Sequence, residues 1–479
     1  MAIMSILYER QYEQKELEAL CHSAEAEFLA IYGRRRVGKT FLVSEYFSDK
    51  GIYFEVTGIH KGALSAQLDN FAIVFSDVFY RGKDKPQLSS WYDAFTLLRQ
   101  QIETVPKQEK VILFFDELPW LAASKSEFLP ALEHCWNRYL SRMSNVILIV
   151  CGSAASWMID NIINNKGGLH GRLSKEMHLF PFNLSETENF LKARHIGLPR
   201  KDILEIYMAM GGVAKYLTQA KPGRSAAQII NDVCFSRNGY LFKEFEKLYA
   251  SLFDNHEKHI DIVKQLATKR KGLTRKALLD KTGLTSGGTS SRILRELEAS
   301  GFIMKVPSYD GRASNNLYRL SDEYSLFYLD WIEAAPDTSL QTIESDYWLK
   351  QRTSRRWSAW SGYVFEDICL KHADKIKAAL GISGVSTTVS TWQNDKAQID
   401  LVIERADNCI NLCEIKFYND EFIVDKDYAD KLQQKKRHFQ QATKTKKALF
   451  TTLITPYGVR QNQHYLESVQ SQLTVDDLF

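Results

Sequence analysis

The segment Ile31-Tyr32-Gly33-Arg34-Arg35-Arg36-Val37-Gly38-Lys39-Thr40 constrains this chain more than any other, because it spells GxxxxGKT between an apolar run, Glu27–Tyr32, and the helical Phe41-Leu42-Val43-Ser44-Glu45-Tyr46. A strand, a glycine-rich turn and a helix in direct succession belong to an α/β sheet with the turn at a strand's carboxyl end. Such a loop turns successive backbone N–H groups inward at a helix N-terminus, where the helix dipole favours an anion. Gly33 and Gly38 allow phosphate to approach the backbone of Arg34, Arg35, Arg36 and Val37. Lys39 can reach β/γ-phosphates and the Thr40 hydroxyl can ligate Mg²⁺, so the expected ligand is ATP with Mg²⁺. A chance Gly-Lys-Thr in a structural turn is the alternative, and both flanks argue against it.

Val111-Ile112-Leu113-Phe114-Phe115-Asp116-Glu117 supplies a second apolar strand that carries two acids out at its end. Asp116 is expected to hold Mg²⁺ and Glu117 to polarise the attacking water. The strand Val146–Cys151 ends in Gly152-Ser153, which puts Ser153 where a small polar side chain could sense a γ-phosphate; a plain turn residue is the competing reading. Arg172, in the glycine-rich Gly167-Gly168-Leu169-His170-Gly171-Arg172-Leu173, could neutralise charge in cis, or in trans across a homo-oligomer interface, or be a solvated loop arginine.

Length implies several domains, since 479 residues exceed what one core normally serves. Alternating strand and helix patterns predict a parallel sheet with helices on both faces and a helical lid over 1–225. A helical connector is expected over 226–255, a winged helix over 256–335 and a small α/β domain over 356–479. The longest apolar runs fall far short of the ~20 residues that cross a bilayer. The N-terminal apolar stretch is broken by Glu9 and Arg10, so a cytoplasmic protein with no membrane partner is expected. Seven cysteines, odd in number and without a CxxC pair, signal neither a disulfide framework nor a zinc site.

The net charge of +4 is too small to imply a nucleic-acid partner, but its distribution is uneven. Residues 256–323 hold 13 Lys and Arg against 8 Asp and Glu. There Leu273–Leu279 and Thr289–Ser300 read as the second and third helices of a winged helix-turn-helix, with Gly283-Leu284-Thr285 as the turn and two strand-like pieces after them. Ser290, Ser291, Arg292 and Arg295 lie toward the start of the candidate recognition helix, which suits contact with DNA. A packing or protein-binding module is the alternative.

In the last domain Gln398–Ile403 and Leu412–Phe417 alternate as two strands. A period of two aims Glu414 and Lys416 the same way, opposite Cys413, Ile415 and Phe417. With Asp400 from the neighbouring strand, that face can hold a divalent cation, Mg²⁺ or Mn²⁺, while Lys416 orients a water or stabilises developing charge. A salt-bridged sheet without catalysis is the other reading.

Several of these segments together resemble a family. The triple arginine of 34–36, Phe-Asp-Glu-Leu-Pro-Trp at 115–120, Gly152-Ser153, Gly-Arg-Leu at 171–173, Phe180-Pro181-Phe182 and Gly211-Gly212-Val213 look like the archaeal-type AAA+-related ATPases. Arg10-Gln11-Tyr12-Glu13 matches that family's N-terminal Arg-Glu-x-Glu pattern with Gln11 in place of the first acid, and Ala214 stands where proline is usual. The Asp400…Glu414-x-Lys416 spacing resembles the PD-(D/E)xK nuclease fold, a restriction-endonuclease-like domain often fused to these ATPases. That resemblance implies that Glu366, on the helix expected over Gly362–Lys371, completes a metal site. Together the resemblances imply an ATPase that couples nucleotide state to DNA binding and cleavage. The alternative is an ATP-dependent signalling switch whose later domains bind protein partners and never cut.

Overall fold

The computed structural model describes residues 9–123, 125–236, 238–253, 255–335 and 347–479, in two compact units, Met1–Phe180 and Pro181–Phe479.

In the first unit, α1 (Gln11–His22) precedes five strands: β1 (Glu27–Tyr32), β2 (Ile52–Thr57), β3 (Val111–Asp116), β4 (Val146–Gly152) and β5 (Lys175–His178). Between them lie α2 (Lys39–Phe47), α3 (Leu64–Phe79), α4 (Trp91–Ile102) and α5 (Phe128–Arg138). All strand pairs are parallel, in the order β2-β3-β4-β1-β5. The central strands β1, β3 and β4 are apolar except at their ends, where Glu27 and Asp116 stand, because both faces are covered. Strand alternation sends Phe28, Leu113 and Leu148 into a core with α3, α4 and α5, and Leu29, Ile112 and Ile147 into a second core with α1 and α2. The predicted parallel sheet with helices on both faces is therefore present. Its order also inserts β4 between the strand that feeds the glycine-rich loop and the strand that carries the two acids.

The second unit opens with α6 (Leu184–Ala193) and α7 (Arg200–Met210). At the end of α7 a side chain on Gly212 would place its Cβ 1.8 Å from the Phe182 carbonyl oxygen. The Phe182 N–H donates to the Gly212 carbonyl at 2.7 Å, so the two segments singled out in the sequence lie against each other. The helical connector expected over 226–255 contains the helix Ala226–Ile230, a π turn, Asn231–Phe235, and the helix Glu244–Ala250.

Next come α8 (His256–Thr268), β6 (Leu273–Thr274), α9 (Arg275–Thr282), α10 (Gly288–Ala299), β7 (Ile303–Val306) and β8 (Leu317–Leu320), the strands forming an antiparallel sheet ordered β6-β8-β7. After α11 (Arg355–Lys371) a mixed five-stranded sheet follows: β9 (Thr387–Gln393), β10 (Gln398–Arg405), β11 (Cys409–Ile415), then α12 (Lys426–Thr443), β12 (Ala448–Ile454) and β13 (Ser471–Leu473). β9 escaped the sequence reading because Thr-Thr-Val-Ser-Thr-Trp-Gln lacks a clean apolar alternation, and α11 starts earlier than the expected Gly362.

One buried ion pair and two partly exposed polar contacts tie the antiparallel module to α11. Arg319 meets Asp367 at 2.9 Å, Lys371 meets Glu323 at 2.6 Å, and Asp330 accepts from Arg270 at 2.7 Å and from the Trp360 indole at 2.9 Å.

Candidate functional site

Two constellations stand out. In the first unit, Gly33 leaves β1 at φ 148°, where an added Cβ would lie 2.2 Å from the Leu179 carbonyl oxygen; Gly38 turns into α2 at φ 99°. Both positions require glycine. Lys39 opens α2, almost fully buried, and its ammonium donates to the carbonyl oxygens of Gly33 at 2.9 Å and Arg34 at 3.0 Å. The loop is braced from outside by the buried Arg10, which donates to the Val37 carbonyl at 3.3 Å and the Phe180 carbonyl at 2.6 Å. The Arg35 guanidinium lies 5.6 Å from the Trp120 ring centre. Arg34 is buried and Arg36 half-buried at φ 73°, so the triple arginine shapes the loop.

The acids arrive at the same sheet edge. Thr40 donates its hydroxyl to Asp116 Oδ2 at 2.6 Å, and Asp116 Oδ1 accepts the Glu117 N–H at 2.9 Å. Glu117 adopts φ 48°, a left-handed conformation costing a non-glycine residue of order 1–3 kcal/mol, as is found at functional sites. Ser153, at the end of the inserted β4, donates its hydroxyl to Glu117 Oε2 at 2.8 Å and its N–H to the same oxygen at 3.3 Å. Ser153 thus aims the Glu117 carboxylate. Arg172 is exposed in the segment before β5.

The donor set fits a nucleotide with Mg²⁺. Lys39 already satisfies its charge on two oxygens, as it would on phosphate. Thr40 and Asp116 share one hydrogen bond between the two oxygens that a hard cation prefers.

Residues 7–220 match the family described as "ATPase domain predominantly from Archaea". Those residues are therefore similar to an archaeal-type ATPase domain. The match covers under half of the chain. The uncharacterized protein MJECL04 of Methanocaldococcus jannaschii is 20% identical over 403 residues, which is 82% of this chain and 83% of that protein. Among solved structures, the Walker-type ATPase PABY2304 of Pyrococcus abyssi shares 18% identity at a TM-score of 0.49, over 67% of this chain and 96% of that one. The ORC2 protein of Aeropyrum pernix shares 15% identity at a TM-score of 0.42, over 69% and 94%.

The second constellation lies beyond the ATPase domain. Asp400 sits at a register shift between β10 and β9, the kind of irregularity that re-aims a side chain, and accepts the Ile415 N–H at 3.0 Å. Lys416 lies 3.7 Å from both Asp400 and Glu414. Lys435, from α12, donates to both Glu414 oxygens at 2.7 and 2.6 Å. Sequence reasoning did not single out Lys435; the available signal was the run of basic residues at 431–437. Glu366, Asp400, Lys416 and Lys435 line a cavity of ≈590 Å³.

Burial and the nearby Asp400 carboxylate push the Glu366 carboxyl up to about 8. Burial and Asp400 raise Glu414 too, against the opposing pull of Lys435 and Lys416. For Lys416 burial disfavours the charge, but Asp400, Glu414 and Glu366 outweigh it and hold the ammonium above its ordinary range. Among the described residues, no three His, Cys, Asp or Glu side chains are gathered closely enough to cage a metal ion. Likewise no described helix is long and apolar enough to cross a membrane.

In the antiparallel module Ser290 is buried, its hydroxyl bonded to Gly287, and Arg275 donates to Ser286 at 2.9 Å and Ser291 at 3.0 Å. Contrary to expectation, Ser290 therefore faces its own helix start. Arg292 and Arg295 are exposed.

Proposed function

We propose that this chain is an ATPase whose nucleotide state controls DNA binding by the 256–335 module, read as a winged helix, and metal-dependent DNA cleavage by the 356–479 domain. The carrying observation is the convergence of Asp400, Glu366 and Lys416 on one cavity, with Glu414 beside them. Burial and the Asp400 carboxylate raise the proton affinity of both Glu366 and Glu414, and a cation relieves the same repulsion.

In the ATPase domain Lys39 holds the β/γ-phosphates, and Thr40 and Asp116 would hold Mg²⁺. Glu117, aimed by Ser153, accepts a proton from the attacking water. Mg²⁺, when bound, neutralises charge on the phosphates. Arg172, being exposed, suits charge neutralisation in trans between copies of the chain.

In the cleaving domain Asp400 and Glu366 would hold Mg²⁺ or Mn²⁺ through hard oxygens, and Glu414 would join them only after a side-chain shift draws the three together. That ion supplies stabilisation of negative charge on the phosphate. Lys416 orients the water or meets the developing charge. Lys435 must leave Glu414 before Glu414 can act as a ligand.

Incubation of full-length protein with plasmid and Mg²⁺ or Mn²⁺ tests the reading. Cleavage is expected with metal, none with EDTA, and none in Asp400→Ala or Glu414→Ala. The Lys435 cap on Glu414 favours a second reading, a signalling switch with a structural ion-pair network. Absence of both cleavage and Mn²⁺ binding in a folded, ATP-hydrolysing protein would select it.

A further inference from the structure

The cavity at Asp400 is not built by one module. Lys271 reaches it from the turn between α8 and β6, and Lys396 from the tight turn 394–397 between β9 and β10. Both are exposed, whereas Asp400 is buried. The Lys396 turn is fixed by Asn394, whose N–H donates to the Ala397 carbonyl at 2.9 Å and whose side-chain oxygen accepts the Lys396 and Ala397 N–H groups at 2.9 Å. Lys271 donates to the side-chain oxygen of Gln398.

Charge decides what such a cavity takes. Four ammonium groups, from Lys271, Lys396, Lys416 and Lys435, line it against the carboxyls of Glu366 and Asp400. Lys416 and Lys435 are engaged by carboxylates, but among the described residues neither Lys271 nor Lys396 forms an ion pair. The rim is therefore cationic and the floor is acidic. Lysine, a compact point charge, contacts backbone phosphate without reading sequence. The joint that carries Lys271 is stiff, because Arg319–Asp367 and Lys371–Glu323 tie its module to α11, the helix that bears Glu366. A preorganised rim spends little ordering energy on binding.

We infer that the cavity binds a nucleic-acid backbone laid across the joint between the 256–335 module and the C-terminal domain, with Lys271 and Lys396 contacting phosphates on its rim. The inference rests on the DNA-cleaving reading of the same site and adds where the strand runs. It moves part of the DNA contact from α10, whose first-turn serines bond internally, to the turn before β6.

Fluorescence anisotropy of labelled single-stranded DNA against the full chain in EDTA, over a salt series, tests it without requiring cleavage. Lys271→Gln and Lys396→Gln are each expected to lower the log–log salt slope by ~0.7, or about fivefold in affinity at 0.1 M salt, and the double variant by about twice that slope. Lys271→Arg should restore the slope. Unfolding midpoints identical to wild type exclude a folding defect. A double variant with wild-type affinity and slope, or a wild type that binds no DNA, overturns the inference. Loss of binding in the lysine variants alongside a wild type that never cuts would uphold it while removing the nuclease reading. Metal-dependent cutting with normal binding in the double variant would do the reverse.

Discussion

Lys39→Ala and Glu117→Gln should separate nucleotide binding from hydrolysis. The Lys39 ammonium is nearly buried and makes two charge-assisted hydrogen bonds, at 2.9 and 3.0 Å, to carbonyls that a phosphate would replace. A hydrogen bond to a charged group contributes about 1.5–3 kcal/mol, so its loss should weaken ATP binding about tenfold to a hundredfold, while the backbone cradle keeps binding measurable. Glu117→Gln keeps a side-chain oxygen for the Ser153 hydroxyl bond now at 2.8 Å, so the local geometry survives and binding should change less than about twofold. What it loses is the proton acceptor, a contribution of about 10²–10⁴ in rate. Calorimetry with a non-hydrolysable ATP analogue measures the first quantity and phosphate release the second. Wild-type phosphate release from Glu117→Gln would refute the assignment of Glu117, and unchanged affinity in Lys39→Ala would refute the phosphate role of Lys39.

Gly33→Ala places a methyl 2.2 Å from the Leu179 carbonyl at φ 148°, so a cost of about 1–3 kcal/mol, a melting point lower by several degrees and loss of nucleotide binding are expected in scanning calorimetry. Burial, with Lys371 and Lys375 nearby, lowers the His372 imidazole to about 4, and its ring accepts the Leu184 N–H at 3.2 Å while its other nitrogen donates to the Ile368 carbonyl at 2.8 Å. The unfolded chain then binds the extra proton between about 4 and 6.5, so stability present above 6.5 should fall by about 3 kcal/mol as pH drops through that window; urea titrations should show a flatter profile in His372→Gln. Arg292→Ala with Arg295→Ala should lower the salt slope of duplex binding by ~0.9 for each phosphate that the missing guanidinium neutralised, and an unchanged slope would mark α10 as a packing surface.

The glycine-rich loop, the paired acids and the Asp…Glu-x-Lys pattern were legible in the sequence because each is a local arrangement. A turn needs its glycines in place, and a strand's period of two decides which neighbours share a face. The alternation of strand-like and helix-like segments implied a parallel sheet with helices on both faces, and neighbours such as Phe28 and Leu29 or Ile112 and Leu113 do enter opposite cores. What no local pattern contains is which distant segments meet. The insertion of β4 between β1 and β3, which lets Ser153 aim Glu117, is a strand-pairing decision across many residues. The Lys435 cap on Glu414, the burial of Ser290 and the approach of Lys271 to Asp400's cavity follow from helix and module packing. Charge illustrates the division: counting placed an excess of lysine and arginine in the middle module, but only packing against α11 decided which lysine faces the carboxylates. Periodicity sets the face a side chain occupies, whereas burial of apolar surface between elements far apart in the chain sets what that face meets.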